Sequence, residues 1–151
     1  MGERGCRFLR IVRLKNVKQF SLILLAILAT STCGWANLGD SSDKVDDAYG
    51  NLVQRRLRDD GTVSVLYHKD RYLYQVTFAN GRSVSETYFN VKGTDLTDKE
   101  IERFLKANAA GATWTPDKGA KERRFKRSDS KAEATCGKVN NRPALTVRTY
   151  Q

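Results

Sequence analysis

Asn80-Gly81 is the point at which this chain has the fewest ways to fold. The dipeptide readily takes the two positive φ angles of a type I′ turn, a tight link between antiparallel strands. It stands between two runs of period two. Pairing outward from the turn in an unbroken register sets Tyr72, Tyr74, Val76 and Phe78 opposite Phe89, Thr87, Ser85 and Ser83, which marks this as the core face. The other face then carries Leu73, Gln75, Thr77, Arg82, Val84, Glu86 and Tyr88, a mixture suited to solvent or to a partner. Upstream, Asp59-Asp60-Gly61 reads as a turn, and Val63, Val65 and Tyr67 alternate behind it. Three strands in an antiparallel meander are expected.

Two helices frame this meander. Asp40 or Ser41 can cap a short one whose apolar residues Val45, Ala48 and Tyr49 have three-and-four spacing, with Gly50 as its stop and Asp43, Asp46 and Asp47 near its positive start. Thr97 and Glu100 form a capping box for the second, and Leu96 is placed to pack on Ile101. Ile101, Phe104, Leu105 and Ala109 give that helix its apolar face, and Gly111 ends it. After Trp114 and Pro116, further strands are expected near residues 123–127, 132–136 and 145–150. No internal repeat is visible. The order helix, strands, helix, strands predicts an α+β domain, with short helices packed on one face of an antiparallel β-sheet.

The front of the chain has a different character. Arg4, Arg7, Arg10, Arg13, Lys15 and Lys18 precede an apolar run at 21–29 and a small-residue stretch at 30–36. This is the three-part layout of a secretory signal peptide. The run is far short of the roughly 20 residues a membrane-spanning helix needs. Gly34 and Ala36 favour cleavage after Ala36, giving a signal peptide at 1–36 and a single domain at 37–151. Cys33 as a lipidated first residue is the rival, poorly served by the preceding Thr30, Ser31 and Thr32. Periplasmic or secreted placement is therefore expected ahead of membrane tethering. Of 27 basic and 17 acidic residues the leader holds six and one, so the remainder carries a net charge of +5. About 115 residues can bury roughly 65% of their unfolded surface without a disulfide scaffold. Cys136 alone survives this cleavage.

Gly39-Asp40-Ser41-Ser42-Asp43-Lys44-Val45-Asp46-Asp47-Ala48-Tyr49-Gly50 resembles the Gly-x-Ser/Thr-x-x-x-Val-x-x-x-Leu-Gly signature of two related groups. These are the small lipoproteins of the bacterial outer-membrane β-barrel assembly machinery and the β-lactamase-inhibitor-like domains. Here Tyr49 stands at the aliphatic position and no Pro follows Gly50. Residues 63–67, 72–78 and Gly81 resemble the strand-turn-strand continuation, so the likeness covers about 39–90. It implies a helix packed on an antiparallel sheet, in proteins that work by binding other proteins. The chain is also similar to small secreted bacterial proteins without an assigned role.

Few residues here assemble chemistry. His68 is the only histidine, so no metal centre and no cofactor is expected, and a Cys136–His68 nucleophile pair lacks an orienting third group. Asp46 with Asp47 and Asp59 with Asp60 read as cap and turn residues. No enzyme is expected. Residues 118–131 hold Lys118, Lys121, Arg123, Arg124, Lys126, Arg127 and Lys131 against Glu122 and Asp129, equal to the whole +5 excess. Such a run suits an anionic surface or polymer, with Arg123, Arg124, Lys126 and Arg127 at its centre, or else a charge-protected sheet edge. Export speaks against intracellular nucleic acid. Tyr72, Tyr74 and Tyr88 are candidate protein-binding residues, with sheet packing as the alternative. The leading expectation is an exported, non-enzymatic module that binds an envelope protein; the second is a polyanion-binding protein acting through 118–131.

Overall fold

Most strands here form where apolar and polar residues alternate, and helices where a capping residue precedes an apolar stripe. The computed structural model describes residues 37–150. The expected leader, its cleavage point and Cys33 lie outside the described residues. Helix α1 (Ser42–Tyr49) is followed by strands β1 (Leu52–Leu57), β2 (Val63–Lys69), β3 (Tyr72–Ala79) and β4 (Arg82–Asn90). Helix α2 (Asp98–Ala107) is followed by β5 (Trp114–Asp117), β6 (Arg124–Arg127), β7 (Ala132–Val139) and β8 (Arg142–Thr149). All eight strands join one sheet in the order β1-β2-β3-β4-β8-β7-β6-β5, antiparallel throughout. One plan, a helix and then a four-stranded meander, thus occurs twice, and the two meanders meet along β4 and β8.

This corrects the α+β expectation. With a single eight-stranded sheet and, among the described residues, two helices of only 8 and 10 residues, the fold is largely β. The strands absent from the sequence reading are the two outer ones, for a physical reason. Every residue of β1 is exposed, so it offers no alternation to detect. β5 contains Pro116, which has no N–H to give a neighbour and is tolerated at a sheet edge.

The turn at Asn80-Gly81 forms as its chemistry dictates, with φ of 50° and 72°. The register beyond it differs from the unbroken pairing. Phe78 lies opposite Ser83 but Thr77 lies opposite Ser85, so β4 carries an extra residue at Val84. A bulge of this kind reverses which side chains face which way. Glu86 and Tyr88 consequently join the core opposite Val76 and Tyr74, while Ser85, Thr87 and Phe89 turn to the other face. The bulge adjoins a set of bonds that hold Ser83 from outside the hairpin. Its N–H donates to the Asp40 carbonyl at 2.9 Å, its carbonyl accepts from Gly39 N–H at 2.8 Å, and its hydroxyl donates to the Asn37 carbonyl at 3.0 Å.

Both helices contribute to one core on the same face. Val45 and Tyr49 of α1, with Ile101, Phe104 and Leu105 of α2, cluster with Val65, Tyr67, Tyr72, Tyr74, Val76, Tyr88, Leu145 and Val147. Rings dominate it: Tyr49 stacks on Tyr74 and Phe104 on Tyr88, each at 4.2 Å between centroids. The capping box forms in full, with Thr97 N–H donating to Glu100 Oε2 at 2.7 Å and Glu100 N–H to Thr97 Oγ1 at 3.4 Å. Ser41 occupies the cap position of α1 without a side-chain bond, and Gly50 closes that helix at φ 72°. Among the described residues no helix is long and apolar enough to cross a membrane.

Candidate functional site

Because side chains alternate across a strand, a sheet whose core lies on one side presents a second complete face. Among the described residues no helix lies over that second face. Its middle is apolar: Leu66 on β2, Leu73 on β3 and Phe89 on β4, with Phe89 only 5% exposed. These residues floor a recess of about 260 Å³ that runs from Arg56 on β1 to Arg142 on β8. Arg142 is held in place. Its guanidinium lies over the Phe89 ring at 5.6 Å, and its Nη2 donates to the carbonyls of Asn90 and Val91 at 3.0 and 3.2 Å. Gln75 Nε2 donates to Ser64 Oγ at 3.3 Å on the same face, and among the described residues no acidic one lines the recess.

The tyrosines singled out from sequence lie elsewhere. Tyr72, Tyr74 and Tyr88 are 3%, 2% and 0% exposed, within the core. The packing alternative describes them, and no partner can reach their rings. Their hydroxyls serve the interior instead. Tyr72 donates to Glu100 Oε1 at 2.5 Å and Tyr88 to Glu86 Oε2 at 2.5 Å. Burial pushes the Tyr74 hydroxyl up to about 12.

Glu86, which the unbroken register would have left outside, is 1% exposed. Tyr49 also donates to its Oε2, at 2.9 Å, whereas its Oε1 has no hydrogen-bond partner in the protein. Burial is the largest cause pushing its carboxyl from 4.5 up to about 7, against the opposing hydrogen bonds from Tyr88 and Tyr49. Asn108 extends the network: its Nδ2 donates to Tyr88 Oη at 2.6 Å, and its carbonyl accepts from Arg127 at 2.9 Å.

Four of the seven basic residues of 118–131 have an acidic neighbour within 4.0 Å. Arg127 is 7% exposed, paired with Asp129 at 2.9 Å and placed over the Trp114 ring. Arg123 donates to Asp98 at 2.5 Å and Lys126 pairs with Asp117 at 2.9 Å. Arg124 is more open, 4.0 Å from Glu122. The four residues do not form one free cationic surface. Arg124 and Lys126 lie on β6, which pairs with β5 on one side and β7 on the other, so the run does not form the edge strand that the charge-protection alternative expected.

His68 and Cys136 are not brought together. His68 is exposed on β2, on the uncovered face; Cys136 is half-buried on β7, on the core face, with three strands between. Burial pushes the Cys136 thiol up, the direction opposite to that of an activated nucleophile. Asp60 accepts from Thr62 in the turn, and Asp46 accepts from Tyr67 at 2.6 Å. Among the described residues no group of three or more His, Cys, Asp or Glu is placed to hold a metal ion.

Sequence reasoning put Leu73 and Gln75 on the uncovered face but missed Arg56, Leu66, Phe89 and Arg142. The usable signal was Asn140-Asn141, whose φ angles of 50° and 62° make a second turn like Asn80-Gly81 and bring Arg142 back beside β4.

No family model and no curated protein matches the chain. Among solved structures the chain is similar to a cysteine-rich secretory protein of Staphylococcus aureus subsp. aureus Mu50, at 12% identity and a TM-score of 0.44. The likeness covers 74% of this chain and 44% of that one, so the chain spans under half of its neighbour.

Proposed function

We propose that this protein is an exported, non-enzymatic module that binds another protein of the bacterial envelope through the uncovered face of its sheet. The observation that carries this reading is the asymmetry of the two faces. One packs α1 and α2 on its core residues, and the other leaves Leu66, Leu73 and Phe89 around an open recess that no described element covers. An apolar floor with polar margins is the composition of a recognition surface. The leader at 1–36 supports export. The segment from Gly39 to Gly50 supports protein binding: it forms a short helix closed by glycine, with Val45 and Tyr49 buried, and it resembles proteins that act by binding.

A photo-activated cross-linking residue at position 73 or 75 tests the reading in producing cells, with positions 99 and 102 on the outer side of α2 as controls. One discrete adduct from the sheet positions, absent from the helix positions, is expected. Equal adducts from both sides, or none from the sheet, would overturn it.

A further inference from the structure

We infer that the recess on the uncovered face takes a surface loop of the partner protein that carries two acidic residues about four positions apart, with an apolar stretch between them. This rests on the proposed function and gives that face its chemistry.

The floor, Leu66, Leu73 and Phe89, is bounded by a cation at each end, Arg56 on β1 and Arg142 on β8. Among the described residues neither guanidinium has a carboxylate within 4 Å, unlike Arg71, Arg123, Arg127 and Arg148. Both are nevertheless held in position. Arg142 is fixed by the Phe89 ring and by two carbonyls that engage Nη2, and its Nε–H and Nη1–H groups have no acceptor among the described residues. Arg56 Nη2 and Nε lie 3.1 and 3.0 Å from the Gln54 side-chain oxygen in the amide orientation that satisfies both groups. A guanidinium presents five N–H donors in a rigid fork that matches a carboxylate. Two of them, pre-positioned beside apolar surface and without internal acids, complement an acidic ligand.

The spacing follows from the sheet. β1 and β8 are four strand steps apart, roughly 19 Å, and the register puts Arg148 in line with Arg56, so Arg142 lies a further six residues along β8. The side chains shorten this separation: Arg142 reaches across to the Asn90 and Val91 carbonyls at the end of β4, Arg56 lies beside Gln54, and both line one recess. An extended segment rises about 3.3 Å per residue, so acids four positions apart lie about 13 Å from each other, and the length of their own side chains extends that reach toward the two guanidiniums. The residues between them cover the floor.

The test uses the protein purified from its producing cells and two peptides, acetyl-Glu-Leu-Phe-Ser-Glu-amide and the same peptide with both Glu replaced by Gln. Binding is followed by the NMR signals of Leu66, Leu73 and Phe89. Saturable shifts with the acidic peptide are expected, at least about tenfold weaker with the Gln peptide, and weakened several-fold by Arg56→Gln or by Arg142→Gln. Arg56 is exposed on an edge strand, so its variant keeps the fold even if Arg142→Gln disturbs the β7–β8 turn. Equal binding of both peptides would overturn the acidic loop while leaving the face as a protein-binding surface. Shifts centred on residues 118–131, or none at all, would overturn the inference as well. In either case the cross-linking pattern still decides the proposed function on its own.

Discussion

The two halves of the sheet share one plan and fill it with different chemistry. In the first, α1 with β1 to β4, strands of 6, 7, 8 and 9 residues carry the tyrosine rings of the core. In the second, α2 with β5 to β8, the strands run 4, 4, 8 and 8 residues, and the inward positions are mostly small or aliphatic: Ala132, Ala134, Leu145 and Val147. Charged pairs supplement this smaller core, with Arg127 on Asp129 and Arg148 on Glu133. Helix α2 connects the two, since Phe104 stacks on Tyr88 and meets Tyr72 edge-on while Ile101 lies near Cys136 and Leu145. The same wiring is satisfied once by burying rings and once by a thinner core backed by ion pairs. The halves should therefore differ in what unfolds them.

The sharpest break is Phe104→Ala. A fully buried ring with stacked and edge-on neighbours leaves a large cavity, and a loss of about 4–5 kcal/mol in denaturant unfolding is expected. Phe125→Ala is its counterpart on β6. That ring is 7% exposed and lies beside the Arg123 guanidinium at 5.3 Å, so a loss nearer 3 kcal/mol is expected. Equal losses would mean that the second half depends on its core as heavily as the first.

The halves should also respond to pH in separate windows. Glu86 has its carboxyl raised from 4.5 to about 7, so the folded protein holds a proton that the unfolded chain has released between these values. Stability contributed by this group is complete below 4.5 and falls as pH rises toward 7, by on the order of 3 kcal/mol. Glu86→Gln should abolish that slope between pH 5 and 8. Glu133 is held low by Arg148 and Tyr150 despite the opposing effect of its burial. It contributes above its ordinary value of 4.5 and is lost as pH falls through its lower folded value. Unfolding curves of the protein and of Glu86→Gln from pH 3 to 8 check both signs.

How much of this was legible depends on what an alternating pattern can carry. The Asn80-Gly81 turn, the Thr97–Glu100 cap, and the positions of β6, β7 and β8 are local, and each was readable from neighbouring residues. The bulge at Val84 was not, because it adjoins bonds from residues 37 to 40 to Ser83, more than forty positions away. That one residue moved Glu86 and Tyr88 inside and put Phe89 outside. The doubled helix-and-meander plan was hidden for another reason: tyrosine-rich and alanine-rich strands can take the same places without sharing a sequence pattern. The candidate face suffered most. Its floor depends on the bulge and its two arginines on long-range pairing, so Leu73 and Gln75 were its only members placed from sequence.

A milder change tests the ion pairs of the second half. Glu133→Gln keeps the shape of a buried side chain but removes the charge that engages Arg148 and Tyr150. Because Arg148 is well exposed, the expected loss is about 1 kcal/mol, and it should shrink as salt is raised. A loss of several kcal/mol, unaffected by salt, would mean that Glu133 acts in the manner of a core residue and would erase much of the contrast between the halves.

The smallest expected effect has the opposite sign. The β3–β4 and β7–β8 turns occupy matching places in the two meanders, yet the first closes with Gly81 at φ 72° and the second with Asn141 at φ 62°. Asparagine tolerates this region better than most residues, but glycine has no Cβ to strain there. Asn141→Gly would give the second turn the Asn-Gly pair of the first. A gain of a few tenths to about 1 kcal/mol is expected in denaturant unfolding, diminished by the freedom that glycine adds to the unfolded chain. A loss would mean that the Asn141 side chain holds the turn in a way the first turn does not need, and that the two hairpins are alike in backbone only.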